Sequence, residues 1–209
     1  ELLEEVYGME DALLVGGMLI VMLNHADRVR IACLAQTVNA IAPIMTRKGG
    51  GAWRQATYWP FHFTSKYGRG LALRPSIEGA TSDGGMHHPF LVMAAVLSSG
   101  KDELRVFVVN RHLREAVTLE LAVAGIVLAP SGAAEGSAPA VEGEVLEWVE
   151  LRHDNLSAVN TEDEPERVQP IRRTGARVCL GGSAVHAKLA PASWNMLRVG
   201  VRTASVDLA

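Results

Sequence analysis

Residues 12–23 read ALLVGGMLIVML and residues 28–35 read RVRIACLA, and this pair decides the fold class. The first run is apolar without interruption for 12 residues. A membrane span needs about 20, so the run predicts a helix buried in a large protein. A secretory signal would carry positive charge upstream, whereas Glu4, Glu5, Glu10 and Asp11 stand there. Glu10 and Asp11 lie where the helix dipole favours acid, and Asn24-His25 closes the run. Gly16-Gly17 lowers helix propensity but permits a neighbouring element to approach closely. The second run mixes small and β-branched residues, the composition of a strand buried on both faces of a parallel sheet. Helix, tight turn and buried strand together form the αβ half of an α/β unit.

Working outward, a polar-tipped loop follows the strand: Gln36-Thr37-Val38-Asn39, then Pro43 and Gly49-Gly50-Gly51. Over residues 52–67 (AWRQATYWPFHFTSKY) aromatic side chains return at helical spacing. Pro60 in their midst predicts a kink or two pieces. Beyond Gly70 the texture changes to short strands, over 71–77, 90–97, 104–110, 117–123, 145–151, 185–189 and 195–201. The alternation of Val117–Val123 and Val185–Leu189 puts one face on a core and the other in water. Such a series predicts an antiparallel sandwich. Residues 130–143 (PSGAAEGSAPAVEG) read as a surface loop, and residues 161–166 (TEDEPE) as an acidic one.

The 209 residues are 48% hydrophobic and 21% charged with a net charge of −3, which excludes a disordered or collagen-like chain. Near-balanced charge gives no global pull toward nucleic acid or acidic lipid, so neither is an expected partner. Cys33 and Cys179 are expected to be reduced, buried small hydrophobes. The length corresponds to about one and a half domains. The chain opens on Glu1 and enters an apolar helix almost at once, so it is expected to be part of a longer protein.

Few residues suggest chemistry. Gly49–Gly51 lacks the strand-GxGxxG-helix setting and no GxxxxGK[ST] occurs, which argues against nucleotide binding. His87-His88 has no second ligand pair at usable spacing, and neither metal nor cofactor is expected. His153-Asp154-Asn155 reads as a turn with a side-chain cap, while His25 and His62 read as packing residues. Glu78, Glu103, Glu115 and Glu147 carry nothing that marks an acid or base, and no serine or cysteine nucleophile motif is present. The exception is the loop after the buried strand, because ligands of parallel α/β folds sit at the carboxyl ends of strands. Gln36 and Asn39 offer amide donors and acceptors there, and Trp53 offers an aromatic face. Together these suit a sugar. The plainer reading is that the two amides satisfy loop backbone.

Longer stretches resemble a known family. Glu10–Gly17, His25–Val29, Ile31–Gln36, Val38–Thr46, Gly51–Gln55 and Tyr67–Gly70 are similar to the C-terminal part of α-L-arabinofuranosidases of glycoside hydrolase family 51. Looser similarity follows at Val108–Arg111, His153–Leu156, Asn160-Thr161 and Ser193–Asn195. The resemblance implies an α/β plus all-β chain: the closing slice of a (β/α)8 TIM barrel, then an antiparallel, jelly-roll-like β-sandwich. Residues 1–70 would hold barrel helix 7, strand 8 and helix 8, and residues 71–209 the sandwich. The implied activity is retaining, exo-acting hydrolysis of terminal α-L-arabinofuranosyl groups from arabinan, arabinoxylan and arabino-oligosaccharides. Retention needs two carboxyls about 5 Å apart. The family places both glutamates at the ends of earlier barrel strands, upstream of this chain, which alone is expected to be inactive. By the same resemblance Gln36 would hydrogen-bond the arabinose, and Asn39 and Trp53 would shape the leaving-group side.

Two partners follow from that resemblance. One is a chain or segment carrying barrel strands one to seven, because a lone strand would expose both edges. The other is further copies of the enzyme, commonly a hexamer in the family. A cytoplasmic location is also a family expectation. The competing reading is a non-catalytic carbohydrate-binding or assembly module. Against it, the sandwich has no exposed aromatic row, and Trp148 and Trp194 read as isolated core residues.

Overall fold

The computed structural model describes residues 4–78, 90–124, 126–132, 143–179 and 184–202. Helix α1 (Met9–Asn24) forms from the first apolar run. The free amides of its first turn find partners outside the helix, as such donors must. The Asp11 carboxylate accepts from the Gly8 amide at 2.8 Å, and Met9 and Glu10 donate to the carbonyls of Ala158 and Leu156. Its buried side carries Met9, Ala12, Gly16, Leu19 and Ile20.

The expected strand over residues 28–35 is not formed. After the turn that ends α1 the backbone runs extended with no ladder partner, and Ile31 is 83% exposed. A strand needs a neighbour to satisfy its amides and carbonyls, and no described segment lies alongside. Cys33, expected to be buried, is exposed for the same reason, while Cys179 is half-buried.

The aromatic stretch also divides differently from expectation. Ala52–Arg54 forms a strand (β2) against Ile44–Thr46 (β1), with Met45 opposite Trp53. The helix, α2, spans Tyr58–Tyr67. Pro60 is therefore its third residue, where a missing N–H costs nothing, and no kink is required.

The remaining elements build two sheets. Strands β3 (Leu71–Leu73), β4 (Leu91–Leu97), β5 (Glu103–Asn110), β7 (Val127–Ala129), β9 (Glu147–Leu151), β10 (Ile171–Arg172) and β13 (Ser193–Arg202) form one of seven strands. Its order is β10-β9-β13-β5-β4-β3, with β7 on the far end of β13. Strands β6 (Val117–Ala122), β8 (Gly143–Glu144), β11 (Arg177–Val178) and β12 (Ala184–Leu189) form the other, ordered β6-β12-β11-β8. Every pairing between these strands is antiparallel. Each of the seven predicted strands is present with shifted ends. The two-residue strands are too short to carry a visible alternation. His87-His88 and most of the 130–143 loop lie outside the described residues.

The alternation of β5 shows how the layers stack. Leu104, Val106 and Val108 face the four-stranded sheet and meet Leu119, Leu121, Val185 and Leu189 in the sandwich core. Phe107 and Val109 point the other way, with Trp194 and Met196 of β13, onto α1 and α2. The large sheet is thus the middle of three layers. At one end of its helix-facing side Arg198 donates to Glu147 at 2.9 Å and to Glu103 at 3.2 Å. The ring of Tyr67, the last residue of α2, lies 4.9 Å from that guanidinium. The hydrogen bonds from Arg198 hold the Glu103 carboxyl below its ordinary 4.5.

Candidate functional site

The loop expected to carry the site is built by side-chain amides. Asn39 adopts φ +62°, a left-handed conformation that asparagine tolerates. Its amide donates to the Ile44 carbonyl at 2.8 Å. Its side-chain oxygen accepts from the Thr46 amide at 2.7 Å, and its nitrogen donates to the Thr46 hydroxyl at 2.9 Å. Asn39 is therefore the clasp that closes the loop onto β1. The plainer reading of this residue, an amide that satisfies loop backbone, describes what it does here.

Gln36 differs. It also has a positive φ, 59°, as does Ala40 at 54°. Neither type favours that region, and such residues cost about 1–3 kcal/mol each and gather at functional sites. Among the described residues the exposed Gln36 side chain has one long contact, an oxygen 3.5 Å from the Ile41 amide. Its amide nitrogen is thus available to a ligand. Trp53 is half-buried on β2. Since Trp53 pairs with Met45 and Asn39 grips Thr46, the indole and the clasp belong to one small two-stranded piece.

Three residues that sequence reasoning did not single out hold this piece in place. Gln55 is buried; its oxygen accepts from the Tyr7 amide at 2.7 Å, and its nitrogen donates to the carbonyls of Ala42 at 2.8 Å and Glu5 at 3.1 Å. Asn160, also buried, donates to the Arg54 carbonyl at 2.8 Å. Glu162, within the loop read as merely acidic, accepts from the Gly51 amide at 3.0 Å and pairs with Arg47 at 2.7 Å. Gln55 and Asn160 sit inside the stretches that carry the family resemblance, which was the available signal. Glu162 had none.

Nearby, the Arg54 guanidinium lies over the rings of Tyr58 and Trp59, at 5.2 and 5.4 Å. Burial, then Lys66 and Arg54, push His62 below its ordinary 6.5, so it is neutral at pH 7. It stacks on Tyr58 as a packing residue. His25 is exposed at the end of α1, contrary to its reading as a packing residue. His153 and Asn155 form the expected turn: Nδ1 of His153 accepts from the Asn155 amide and the Asn155 side chain from that of Ser157. The loop presents an amide and an aromatic face, while Glu162 is committed to Arg47 and Gly51. That is equipment for hydrogen bonding and ring stacking.

Residues 1–193 match the model of the α-L-arabinofuranosidase C-terminal domain. An intracellular exo-α-(1→5)-L-arabinofuranosidase of Halalkalibacterium halodurans is 41% identical over 95% of the chain, which covers 37% of that protein. One from Streptomyces lividans is 41% identical over 94% of the chain and 28% of its own length. Among solved structures, a family 51 α-L-arabinofuranosidase from Bifidobacterium longum superimposes with a TM-score of 0.76 at 30% identity, over 94% of this chain and 36% of its own. An α-L-arabinofuranosidase arabinose complex from Thermotoga maritima has the same fold, with a TM-score of 0.75 at 24% identity over 95% and 39%. The chain thus spans between 28% and 39% of the length of these relatives.

Proposed function

The chain belongs to the α-L-arabinofuranosidase C-terminal domain family, and from that premise we propose that it is the closing portion of a retaining exo-acting α-L-arabinofuranosidase. On this reading residues 1–70 complete a (β/α)8 barrel, with α1 as its seventh helix, the extended 28–35 segment as its eighth strand and α2 as its eighth helix. Residues 71–209 are the accompanying sandwich. The catalytic glutamates belong to the preceding part of the enzyme.

The observation that carries the reading is an uncovered apolar face. Leu14, Met18 and Val21, spaced four and three residues apart on the outward side of α1, are all at least half exposed. Ile31 stands exposed on the adjoining extended segment. That segment borders both helices, lining an open cleft of about 440 Å³ with Leu19 and Met22 of α1 and Phe61 and Ser65 of α2. Exposed apolar side chains grouped along a helix in this way mark an interface, and an extended chain laid beside two helices is how a barrel strand meets its layer. Strands one to seven of the same enzyme are the proposed cover.

In the complete site Gln36 would donate to a hydroxyl of the arabinofuranose. Trp53, backed by Asn39, would face the leaving-group side. A hydrogen bond that tightens as the ring flattens toward an oxocarbenium ion lowers the barrier, because only interactions stronger in the transition state do so. The two carboxyls would act as nucleophile and acid/base. Terminal arabinofuranosyl groups of arabinan, arabinoxylan and their oligosaccharides are the proposed substrates. The intracellular naming of relatives supports a cytoplasmic enzyme. Among the described residues no helix is long and apolar enough to cross a membrane. Assembly into homo-oligomers is a further part of the proposal.

The test is hydrolysis of 4-nitrophenyl α-L-arabinofuranoside by this chain alone and joined to its preceding portion. Activity is expected only for the joined protein. An inactive joined protein, together with sugar binding by this chain alone, would replace the enzyme reading with that of a carbohydrate-binding module.

A further inference from the structure

Strand β2 is three residues long and, among the described residues, pairs only with β1, giving a two-stranded sheet of three residue pairs. A hairpin of that size is marginal in water on its own. Its position must therefore be set from outside, and the ties at both ends of β2 come from one loop of the sandwich. At the start, the Gly51 amide donates to Oε1 of Glu162 at 3.0 Å. At the end, the Arg54 carbonyl accepts from the Asn160 side chain at 2.8 Å. Trp53 stands between the two.

Both ties are themselves anchored. The Asn160 oxygen accepts from the Val168 amide at 2.7 Å, and its nitrogen also reaches the Val168 carbonyl at 2.9 Å. The second oxygen of Glu162 pairs with Arg47 at 2.7 Å, on the opposite arm of the hairpin turn. Gly50 makes room for this carboxylate, since a β-carbon there would stand 2.7 Å from Oε1. The Glu164 amide donates to the Thr161 hydroxyl at 3.0 Å, which fixes the loop around Glu162.

We propose that Glu162 and Asn160 are positioning residues through which the sandwich sets the place of Trp53, and with it the fit of the leaving group. The inference rests on the reading that Trp53 faces that side of the sugar site. Neither residue touches substrate. Their contribution is to hold an aromatic face that the hairpin alone would leave loose, and misplacing such a face weakens binding before it affects bond cleavage.

The experiment is steady-state kinetics of the complete enzyme on an arabinofuranosyl oligosaccharide, with Glu162→Ala, Glu162→Gln, Trp53→Ala and the Glu162→Ala/Trp53→Ala pair. Glu162→Ala is expected to raise KM about fivefold with kcat within about twofold of the parent, the pattern of lost binding shared by ground and transition states. Glu162→Gln keeps the acceptor for the Gly51 amide and recovers most of the loss. In the Trp53→Ala background the Glu162 effect disappears, because residues that act through one another are not additive. Additive effects, or an unchanged KM in Glu162→Ala, overturn the inference while leaving the site reading intact. An unchanged KM in Trp53→Ala removes Trp53 from the site and the inference with it. Gly50→Ala, whose β-carbon would crowd Oε1 of Glu162 away from the Gly51 amide, gives the same readout should Glu162→Ala lower the melting temperature.

Discussion

Gly16 of α1 lies directly against the indole of Trp194, so closely that a β-carbon at Gly16 would overlap Cδ1 and stand 2.8 Å from Nε1. Trp194 is fully buried. An indole removes about 200 Å² from water, and at about 25 cal/mol per Å² its burial is a principal reason that helix and sheet adhere. Gly16→Ala gains up to about 1 kcal/mol in helix propensity, but overpacking costs about 1–3 kcal/mol. We expect net destabilisation and a lower melting temperature. Gly17→Ala meets nothing within 4 Å and keeps the propensity gain. The pair measured side by side separates packing from propensity, and equal shifts would contradict the contact.

Gln55 makes a second prediction. Its side chain joins Tyr7, Glu5 and Ala42, three backbone groups from two separate segments. Replacement by alanine strands the Tyr7 amide and leaves a cavity, so a loss of about 3 kcal/mol is expected by denaturant titration. Gln55→Glu keeps the acceptor for Tyr7 but turns the nitrogen that donates to Glu5 and Ala42 into an oxygen that repels both carbonyls. It should be no less damaging.

The legibility of the fold follows from where each signal originates. Strands such as β6 and β12 were readable because their apolar alternation reports a face buried within the chain itself, and α1 because an unbroken apolar run lies between acidic residues and Asn24-His25. The 28–35 run had an equally clear composition, yet it forms no ladder, since a ladder depends on neighbours and none lies alongside among the described residues. Pro60 was misjudged because its cost depends on where the helix begins. At the candidate site the residue types Gln36, Asn39 and Trp53 were legible, and so was the loop-satisfying duty of Asn39, but not the partners that hold the loop. The clasp between Asn39 and Thr46 and the grip of Glu162 on Gly51 depend on backbone conformation and on a contact across more than a hundred residues.

Cys33 offers a direct probe of the proposed barrel. In this chain its thiol is exposed on the extended segment. If strands one to seven close around that segment, native complete enzyme should leave Cys33 unreactive toward a disulfide reagent until denaturant is added. The count of reactive thiols, compared with a Cys33→Ser variant, gives the answer. Rapid native labelling of Cys33 in active enzyme would remove residues 28–35 from a buried strand.

Acid should weaken the end of the sheet where α2 terminates. Arg198 holds Glu103 below its ordinary 4.5, and the Ser98 hydroxyl holds Asp102 below its ordinary 3.8. A carboxyl with a depressed folded-state value stabilises the fold above its unfolded value, and that stability is lost as pH falls through the folded one. The melting temperature should therefore decline as pH drops below about 4.5. Glu103→Gln should flatten that decline while lowering stability at pH 7. An unchanged slope in the variant would mean that other carboxyls govern acid unfolding.

Gln36 and Asn39 stand three residues apart with positive φ, yet they should fail in different ways. Gln36 spends little on the protein, so Gln36→Ala should leave the melting temperature near its parent value. The complete enzyme should nevertheless lose about tenfold or more in kcat/KM, the scale of one hydrogen bond worth about 1.5 kcal/mol. Asn39 spends both side-chain atoms on Thr46. Asn39→Ala should therefore lose stability as well, through the clasp and through alanine in a left-handed conformation. Asn39→Gly removes the clasp while permitting the backbone, so the difference between the two variants isolates the conformational part. Thermal melts and kinetics on the same four proteins decide the matter. A stability loss in Gln36→Ala matching that of Asn39→Ala, with unchanged kinetics, would return Gln36 to the role of a loop residue.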